Sequence, residues 1–478
     1  IRDRHLVNWE RDGSKIKAFG TENGGRPRSA VRNPHTHFQP CVSWSDITSG
    51  APAFRSYPPG FLHDVTGMSV FGDDFQRAHL ISFLNSSVAT ALLQVVAPTL
   101  HAQIGDISLL PVEEYETPGA LLDALIAVAR GDWDDLETSW DFAAPSWLGG
   151  VRTTGSTNQV LLADRVAAWS TRCVEMSQDQ QAREVENNRI VAEAYGLKAE
   201  VTIDVSLHRV SLTRNVQFRF GPGKSAEVYA ALERADVALE LVSYAVGCMF
   251  GRYSLDEPGL VLANQGDEAQ DYLAKVAAAT FAPDTDNVIP IVDGDWFEDD
   301  IVARFRTFLR AAFGEQHFEE NLRFVTESLG VKDIRDYFVR SFYEDHWKRY
   351  KKRPIYWLFS SPTGSFNALI YMHRYTPSTA STVLNEYLRE FQAKLSSNLQ
   401  QQDGLAAGSA TPRQQAAAQK EADRLRKVLL ELEEYEHDVL YPLASRQLAI
   451  DLDDGVKANY PKFGAALKKI VGLGSSDE

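Results

Sequence analysis

Cysteine is scarce in this chain of 478 residues, and its placement excludes two common ways of stabilising a fold. Cys41, Cys173 and Cys248 are odd in number and far apart, so they form neither a disulfide framework nor the paired spacing of a zinc site. Long hydrophobic runs are also missing, because no stretch of about 18 apolar residues occurs and no signal-peptide pattern is present. The sequence therefore predicts a cytoplasmic protein in a reducing compartment, without a membrane partner.

Familiar catalytic and metal-binding patterns are absent as well. The sequence has no Ser-His-Asp arrangement, no phosphate-binding glycine loop and no nuclease-type carboxylate cluster. Asp451, Asp453 and Asp454 are similar to the start of a calcium loop, but Lys462 stands where such a loop requires Glu. The acidic group at residues 132–137 and the histidines have no ligand spacing either. No catalytic residue and no metal site is therefore predicted.

The distribution of charge is the first positive indication of function. The formal net charge is −16, and a uniformly acidic surface would repel duplex DNA. Residues 1–63, called here the N-terminal basic segment, contain nine Lys or Arg against five Asp or Glu, a balance of +4. Residues 340–353, called the second basic segment, contain six against two, again +4. Two positively charged surfaces on an otherwise acidic protein would hold DNA in one orientation. Ordinary solvated surfaces explain the same numbers of basic residues.

The spacing of apolar residues predicts a mixed α+β protein with several domains. A chain of this length holds about two to four domains. Residues 1–115 combine strand-like runs at 42–44, 60–65 and 69–71 with turns, then a helix at 75–96 and an apolar strand that ends at Pro111. This pattern predicts a compact α/β module as the first domain.

Helices dominate the predicted second domain, residues 116–345. Apolar spacing predicts helices at 118–130, 158–176, 182–195 and 226–253, and two more between 289 and 330. In the third domain, residues 346–478, strong β formers at 353–359 and 366–371 flank a turn that contains Pro362 and Gly364. This arrangement predicts a β-hairpin.

Two long apolar stripes follow the predicted hairpin, at residues 383–399 and 425–443. They can bury each other in an antiparallel helical pair of coiled-coil type. Residues 400–415 are rich in Gln, Ala, Gly and Ser and predict a mobile linker, and the tail from Leu473 predicts disorder. The chain begins without Met inside strand-like sequence, so a segment of a longer protein is expected.

A series of sequence blocks runs through the chain in a fixed order. They are WSDI (44–47), GFLHDVTGMSVFG (60–72), FLNSSVATALLQVVAPTLHAQIGDISLLPV (83–112), GDWDDLETSWDF (131–142), SYAVGCMFGRYSLD (243–256), DWFEDDIVARF (295–305), KRPIYWLFSSPTGSFNALIYMHRY (352–375) and DLDDGVKANYPKF (451–463). Together they resemble the PglX family, the adenine methyltransferases of bacterial BREX phage-defence systems. The resemblance covers nearly the whole chain, and it implies a target-recognition domain at residues 1–115 followed by the C-terminal region of that family.

The resemblance also defines what is missing. It implies a preceding half that binds S-adenosylmethionine and carries an Asn-Pro-Pro-Tyr loop for the target amine. No Asn/Asp-Pro-Pro-Tyr/Phe string occurs here, and the nearest one, Tyr-Pro-Pro-Gly at residues 57–60, lacks the amide or carboxylate before the prolines and the aromatic residue after them. Catalysis and cofactor binding are therefore expected outside this segment, where the full protein would methylate N6 of a flipped adenine.

Candidate DNA contacts fall in the two basic segments. The N-terminal basic segment offers Arg26, Arg28, Arg32, Asn33, His35 and Arg55, since Arg reads guanine and Asn reads adenine through paired hydrogen bonds. The second basic segment offers Lys348, Arg349, Lys351, Lys352 and Arg353, which precede a strand and could follow a phosphate backbone. For both sets, a solvated loop or charged face is the alternative. Trp44 is expected in the core, Asn85, Ser86 and Ser87 in local packing or capping, and residues 98–101 in a structural turn.

The sequence leads to one hypothesis and leaves two alternatives open. The segment would select the duplex site that the missing half methylates, with other BREX proteins as further partners. The first alternative is a specificity subunit acting in trans, as in type I restriction systems, which usually carries two recognition domains where only one is found here. The second is a protein-protein assembly platform on which the acidic surface dominates. Steep loss of duplex binding with salt would favour recognition over the platform.

Overall fold

A computed structural model describes residues 7–21, 24–47, 52–98, 101–149, 160–408 and 411–473. Within these ranges the chain is a mixed α+β protein, as predicted, and it divides into two compact units. The first unit comprises Ile1–Asp132 and Cys173–Pro222, and the second comprises Trp133–Arg172 and Gly223–Glu478. The predicted strand and turn at the start of the chain, part of the turn at 98–101 and the tail after residue 473 lie outside the described residues.

The first unit contains a small sheet surrounded by helices. Its strands are β1 (Cys41–Ser45), β2 (Arg55–Tyr57) and β3 (Gly67–Phe71), and its helices are α1 (Glu10–Ala18), α2 (Asp74–Leu84), α3 (Ser87–Val96), α4 (Ile104–Ser108), α5 (Gly119–Asp134), α6 (Leu162–Ala194) and α7 (Val216–Phe220). Helices α5 and α6 also contribute residues to the second unit. Helix α1 is kinked, because Arg11, Asp12 and Gly13 lie in the left-handed region.

The core of the first unit forms where the sheet meets α2 and α3. Strand β1 is central and pairs antiparallel with both neighbours. Its Val42 and Trp44 are buried together with Phe54 and Phe83 in one hydrophobic cluster. Only 2% of Trp44 is exposed, and its Nε1 donates a hydrogen bond to the carbonyl oxygen of Ala102 at 2.6 Å. These contacts confirm the expectation that Trp44 is a core residue.

The helix predicted at residues 75–96 is two helices, α2 and α3, with a bend of 73° between them. The Asn85 side chain donates to the carbonyl oxygens of Ile81 and Phe54 and accepts from the Phe54 amide, so it ends α2. The Ser86 hydroxyl then accepts from the Ala89 amide at 3.2 Å and caps α3. Local capping is the role that the sequence favours for this part of the chain.

Three other sequence predictions in this unit are wrong. Residues 60–65 form no strand, because the Asp64 carboxylate accepts from the Thr66 and Gly67 amides and builds a turn. The strand predicted before Pro111 is the short helix α4. The two helices predicted at 158–176 and 182–195 are one helix, α6, since no Gly or Pro interrupts residues 177–181.

The second unit is mainly helical around a buried sheet. Its elements are α8 (Ala226–Met249), α9 (Ala269–Lys275), β4 (Ile289–Pro290), α10 (Ile301–Phe313), α11 (Phe318–Leu329), α12 (Ile334–Tyr337), α13 (Tyr343–Arg349), β5 (Tyr356–Ser360), β6 (Asn367–Tyr371), α14 (Thr379–Thr382), α15 (Arg389–Ala407), α16 (Pro412–Tyr435), α17 (Tyr441–Arg446) and α18 (Val456–Asn459). Turns of π-helix occur at Phe338–Phe342, Val383–Leu388 and Glu436–Leu440.

The predicted β-hairpin is confirmed as β5 and β6, which pair antiparallel with β4 on the far side of β6. Every residue of β5 and β6 is buried, which explains why both strands are rich in aromatic and aliphatic residues on each face. The turn between them is fixed by Glu431 of α16. Its carboxylate accepts from the Thr363 amide at 2.8 Å and from the Ser365 hydroxyl at 2.5 Å.

The predicted helical pair is confirmed as α15 and α16. Leu395, Leu425 and Leu432 are buried, as their apolar spacing requires. The linker predicted at residues 400–415 is largely helical, because α15 continues to Ala407 and α16 begins at Pro412. The Thr411 hydroxyl accepts from the Gln414 amide at 3.4 Å and so caps α16. Residues 409 and 410 lie outside the described part of the chain.

The length and apolar composition of a helix decide whether it could span a membrane. In the ranges that the structure describes, no single helix is both long and apolar enough to cross a bilayer. The bent pair of α2 and α3 satisfies the criterion by length and composition.

Candidate nucleic-acid interface

The three candidate arginines of the N-terminal basic segment lie on backbone without regular structure. Arg26, Arg28 and Arg32 are all exposed, and none forms an ion pair with any residue that the structure describes. Arg28 is anchored by its own backbone, whose amide donates to the carbonyl oxygen of Phe19 at 2.7 Å. Its side-chain stem lies against Gly20, where an added Cβ would be 2.5 Å from Arg28 Cγ. The guanidinium groups are therefore available to an anionic partner.

Asn33 and His35 continue the same exposed surface. Asn33 adopts the left-handed conformation, with φ at 48°, and precedes a 3-10 turn at Pro34–Thr36. Its carbonyl oxygen accepts from the Thr36 amide, while its side chain makes no capping bond. Both Asn33 and His35 are exposed. The turn thus presents an amide and an imidazole beside the candidate arginines in sequence.

Aromatic rings accompany this basic stretch, and the candidate residues chosen from the sequence do not include them. Trp9, His37 and Phe38 contact one another edge to face, with ring centroids 5.2–6.2 Å apart. Lys17 Nζ lies 5.8 Å from the centre of the Trp9 ring. Phe19 is 56% exposed, although it belongs to a large apolar type. Alternation of aromatic and basic residues in the sequence is the signal that could have identified this group.

Arg55 behaves differently from the other arginines of the N-terminal basic segment. Its guanidinium donates to the carbonyl oxygen of Phe54 at 3.1 Å and to the Ser211 hydroxyl at 2.6 Å. Burial lowers the pKa of Arg55, opposed by the nearby Glu184 carboxylate. Burial in turn raises the pKa of Glu184 to about 7, opposed by Arg55 and Arg209. Arg55 therefore binds groups of its own unit with at least two of its donors.

Three of the six basic residues in the second basic segment lie beside acids of the same unit. Lys348 pairs with Glu344 at 2.7 Å, one turn earlier on α13. Arg340 pairs with Asp336 at 3.0 Å in the same spacing. Arg349 Nη1 lies 4.0 Å from Glu137 Oε2, and only 5% of the Glu137 side chain is exposed. Burial alone would lower the pKa of Arg349, but Glu137 and Glu240 oppose it and the net pKa is raised.

The last three residues of the second basic segment form an exposed turn between α13 and β5. Lys351 and Lys352 have positive φ angles of 51° and 61°. Their amides donate to the carbonyl oxygens of Lys348 and Trp347, which closes the helix end. Lys351, Lys352 and Arg353 are all exposed. This turn is the part of the second basic segment that is best placed to meet a phosphate backbone.

The acidic and histidine residues considered in the sequence have structural partners. The Asp132 carboxylate accepts from the Thr213 and Arg214 amides at 2.7 and 2.9 Å. His346 is buried, its Nε2 accepts from the Tyr356 amide, and burial lowers its pKa well below the usual value. Among the residues that the structure describes, no group of three or more His, Cys, Asp or Glu could hold a metal ion.

The described part of the N-terminal basic segment remains strongly positive. Residues 7–40 without 22 and 23 contain six basic residues against Glu10 and Asp12, a balance of +4. The whole chain has a net charge of −16. Arginines that form no ion pair with described residues, exposed aromatic rings and irregular backbone together match the composition of a surface that contacts a nucleic acid.

Two curated proteins are similar to this chain over nearly all of its length. No protein-family profile matches it. Adenine-specific methyltransferase BrxX of Escherichia coli O9:H4 (strain HS) is 33% identical over 495 aligned residues, which cover 98% of this chain and 39% of the relative. Adenine-specific methyltransferase PglX of Lacticaseibacillus casei (strain Zhang) is 32% identical over 487 aligned residues, with 98% of this chain and 38% of the relative covered.

The chain is therefore homologous to adenine-specific methyltransferases over one region of their length. Within that class its homologues are PglX and BrxX, which confirms the resemblance found in the sequence. The chain spans about two-fifths of the length of the curated relatives it matches.

Proposed function

We propose that this chain is the DNA-recognition and C-terminal region of an S-adenosylmethionine-dependent adenine methyltransferase of a BREX phage-defence system. The observation that carries the proposal is the surface of Arg26, Arg28 and Arg32, which are exposed and form no ion pair with a described residue, in a segment of net positive charge. Homology to adenine-specific methyltransferases supports DNA as the substrate. In the cytoplasm the segment selects the duplex site, and the remainder of the protein transfers the methyl group to N6 of adenine.

The residues of the N-terminal basic segment divide the work of recognition by their chemistry. A guanidinium can bind two phosphate oxygens, or the O6 and N7 atoms of guanine, through two parallel hydrogen bonds. Arg26, Arg28 and Arg32 are long enough to do either. The Asn33 side chain carries a donor and an acceptor, which fit the N7 and N6 atoms of adenine. His35 is an additional donor to phosphate. Arg55 stabilises the sheet to which its own strand β2 belongs.

The turn of Lys351, Lys352 and Arg353 contributes phosphate contacts without sequence information. Backbone contacts fix the register of a protein on a duplex but do not distinguish base pairs. Lys348 and Arg349 add to the local potential while remaining paired with Glu344 and Glu137. Other BREX proteins bind elsewhere on the C-terminal region. These roles predict that replacing the three turn residues weakens binding equally for all DNA sequences.

The cofactor does not fit the described residues. Nucleotide-like cofactors in α/β folds bind at the carboxyl ends of parallel strands, next to a glycine-rich turn. Both sheets of the described residues are antiparallel. The Asn-Pro-Pro-Tyr loop is also absent from the sequence. We therefore assign S-adenosylmethionine binding and methyl transfer to the rest of the longer protein, and derive no chemical step within this chain.

A salt titration of duplex binding tests the proposal. Removing one cation that neutralises a phosphate should reduce the slope of log K against log salt by about 0.9. Replacing Arg26, Arg28 and Arg32 with Ala should weaken binding about a hundredfold, roughly 1 kcal/mol for each guanidinium. The matched control replaces Arg306, Arg323 and Lys332, which are exposed in the second unit, and removes the same charge.

The outcomes of this titration separate recognition from the alternatives. The control variant should bind like the wild-type chain. Equal losses in both variants would reduce the effect to overall charge and contradict the proposal. Absence of duplex binding by the wild-type chain at micromolar concentration would instead favour the assembly platform.

A further inference from the structure

The aromatic cluster of Trp9, His37 and Phe38 lies outside the hydrophobic core of its unit. None of the three rings belongs to the core around Trp44 and Phe83. Phe38 is 38% exposed and His37 and Trp9 are partly buried, so the cluster has an open side. An aromatic group that the core does not use is expected to have another partner.

The backbone of Phe38 is held in a conformation that bulky residues rarely adopt. Its φ is +61°, in the left-handed region that favours Gly and Asn. Two hydrogen bonds keep it there, because the Phe38 amide donates to the Phe61 carbonyl oxygen at 3.2 Å and the Gly60 amide donates to the Phe38 carbonyl oxygen at 3.0 Å. Strain of this kind is found preferentially at functional sites, where it fixes a side chain in a required direction.

Trp9 forms the fixed base of the cluster. The kink of α1 brings the buried Gly13 against its ring, where an added Cβ would lie 3.0 Å from a ring carbon. The Phe38 ring then packs at 81° to Trp9, with centroids 5.5 Å apart. The Trp9 ring therefore supports the Phe38 side chain, of which 38% stays exposed.

The charge around the cluster indicates the chemistry of the partner. Lys17 lies near the Trp9 ring, and the Arg32 carbonyl oxygen is 2.9 Å from His37 Nε2, so the candidate arginine adjoins the cluster. Basic groups that attract a phosphate backbone beside an exposed ring are the features that bind unstacked nucleotides. Lys17 is already paired with Asp12, whereas Arg32 has no ion pair with a described residue. An apolar peptide would leave the Arg32 guanidinium without a counterion, and a nucleic acid would not.

We propose that Phe38, supported by Trp9 and His37, stacks on a nucleobase that has left the duplex stack, an inference that rests on the proposed DNA-recognition function. The ring faces of all four bases suit such a contact, so Phe38 holds distorted DNA without reading its sequence. The neighbouring arginines bind the phosphates on either side. This contact stabilises the opened duplex that adenine methylation in the remainder of the protein requires.

The experiment compares binding of the full chain to two DNA probes of the same mixed sequence. One probe is a fully paired duplex, and the other carries a single unpaired adenine. The wild-type chain should bind the unpaired probe about tenfold more tightly, within the range expected for one stacked base. Phe38→Trp should keep this preference, and Phe38→Leu and Phe38→Ala should lose it. The salt slope should be unchanged in all three variants, because stacking neutralises no phosphate.

Several results would overturn this inference. A preference retained in Phe38→Leu would show that the ring only fills space, and the Leu and Trp variants decide this even if Phe38→Ala unfolds. Equal affinity of the wild-type chain for both probes would also contradict it, while leaving the proposed function intact. If the wild-type chain bound neither probe, both the inference about Phe38 and the proposed function would be contradicted. A direct readout is photocrosslinking of 5-iodouracil at the unpaired position, which should attach to Phe38 and not to Phe19.

Discussion

The two basic segments have the same net charge and use it in different ways. In the N-terminal basic segment, Arg26, Arg28 and Arg32 are exposed and have no acidic partner among the described residues. In the second basic segment, Lys348 and Arg340 are paired with acids of their own helical turns. The same balance of +4 therefore includes three exposed arginines without ion pairs to described residues in one segment, and three basic residues beside acids in the other.

The difference follows from backbone geometry. A helix brings residues four positions apart onto one face. Glu344 therefore forms an ion pair with Lys348, and Asp336 forms one with Arg340. Irregular backbone interrupted by Gly and Pro has no such repeat, and Arg26, Arg28 and Arg32 form no ion pair with the acids that the structure describes. A count of charges is therefore informative about binding only when the local conformation is also known.

The largest expected effect concerns Glu137, which stabilises the second basic segment from within the fold. Its carboxylate accepts from the Tyr350 hydroxyl at 2.8 Å and from Ser243, and it lies 4.0 Å from Arg349 Nη1. Glu137→Ala should reduce the free energy of unfolding by about 3 kcal/mol, because it removes one of the acids beside Arg349 and the acceptor of two hydroxyls. Chemical denaturation measures this change. Glu137→Gln, which keeps the shape and acceptor oxygen, should cost less.

The N-terminal basic segment supplies the contrast to this prediction. Arg26→Ala, Arg28→Ala and Arg32→Ala should each change stability by no more than about 0.5 kcal/mol, since their side chains make no buried contact. If any of them destabilised the chain as much as Glu137→Ala, the arginine would belong to the fold, and the distinction between the two segments would be wrong.

Regular elements with strong patterns could be predicted from the sequence. The β5–β6 hairpin and the α15–α16 pair were predictable because their apolar residues repeat at the period of a strand or a helix over many positions. The break between α2 and α3 could not be predicted, because it depends on the Asn85 side chain meeting Phe54, which is distant in sequence. Polar side chains that hydrogen-bond to backbone groups leave no periodic pattern in the sequence.

The candidate site was predictable in part for the same reason. Composition alone pointed to Arg26, Arg28 and Arg32, and the structure places them on an exposed surface. It could not predict the left-handed backbone of Phe38, which depends on hydrogen bonds with Gly60 and Phe61 from a separate loop. Nor could it separate Arg55 from its neighbours, since the Ser211 partner is 156 positions away. Long-range contacts decide these roles, and a charge count does not contain them.

A second prediction tests whether the ion pairs of the second basic segment mask its charge. The double variant Glu344→Gln with Asp336→Asn frees Lys348 and Arg340 from pairs that contribute about 0.3–0.5 kcal/mol each. Its affinity for duplex DNA should rise about threefold, as two cations become available to phosphates. Fluorescence anisotropy with a labelled duplex measures the gain. The control Glu433→Gln with Glu434→Gln removes two exposed acids elsewhere and should give a smaller gain.

A pH-dependent effect is expected around Arg55, the arginine of the N-terminal basic segment that binds its own unit. Burial raises the pKa of Glu184 to about 7, above its unfolded value of about 4.3. The folded chain therefore holds a proton that the unfolded chain has lost, so stability falls as pH rises between these values and is constant above them. Glu184→Gln should remove this slope in denaturation curves.

Arg55→Ala should change the same pH dependence of stability and should affect DNA binding less than variants of the exposed arginines. Loss of the guanidinium removes a charge that favours ionised Glu184, so the pKa of Glu184 rises further. The pH range over which stability falls then extends to higher pH. Destabilisation by Arg55→Ala should thus be larger above about pH 7 than near pH 4.3, where Glu184 is protonated in the fold. The same variant should change the salt slope of DNA binding less than Arg28→Ala does. An Arg55 variant with unaltered stability and a salt slope as shallow as that of Arg28→Ala would place this side chain on the DNA instead.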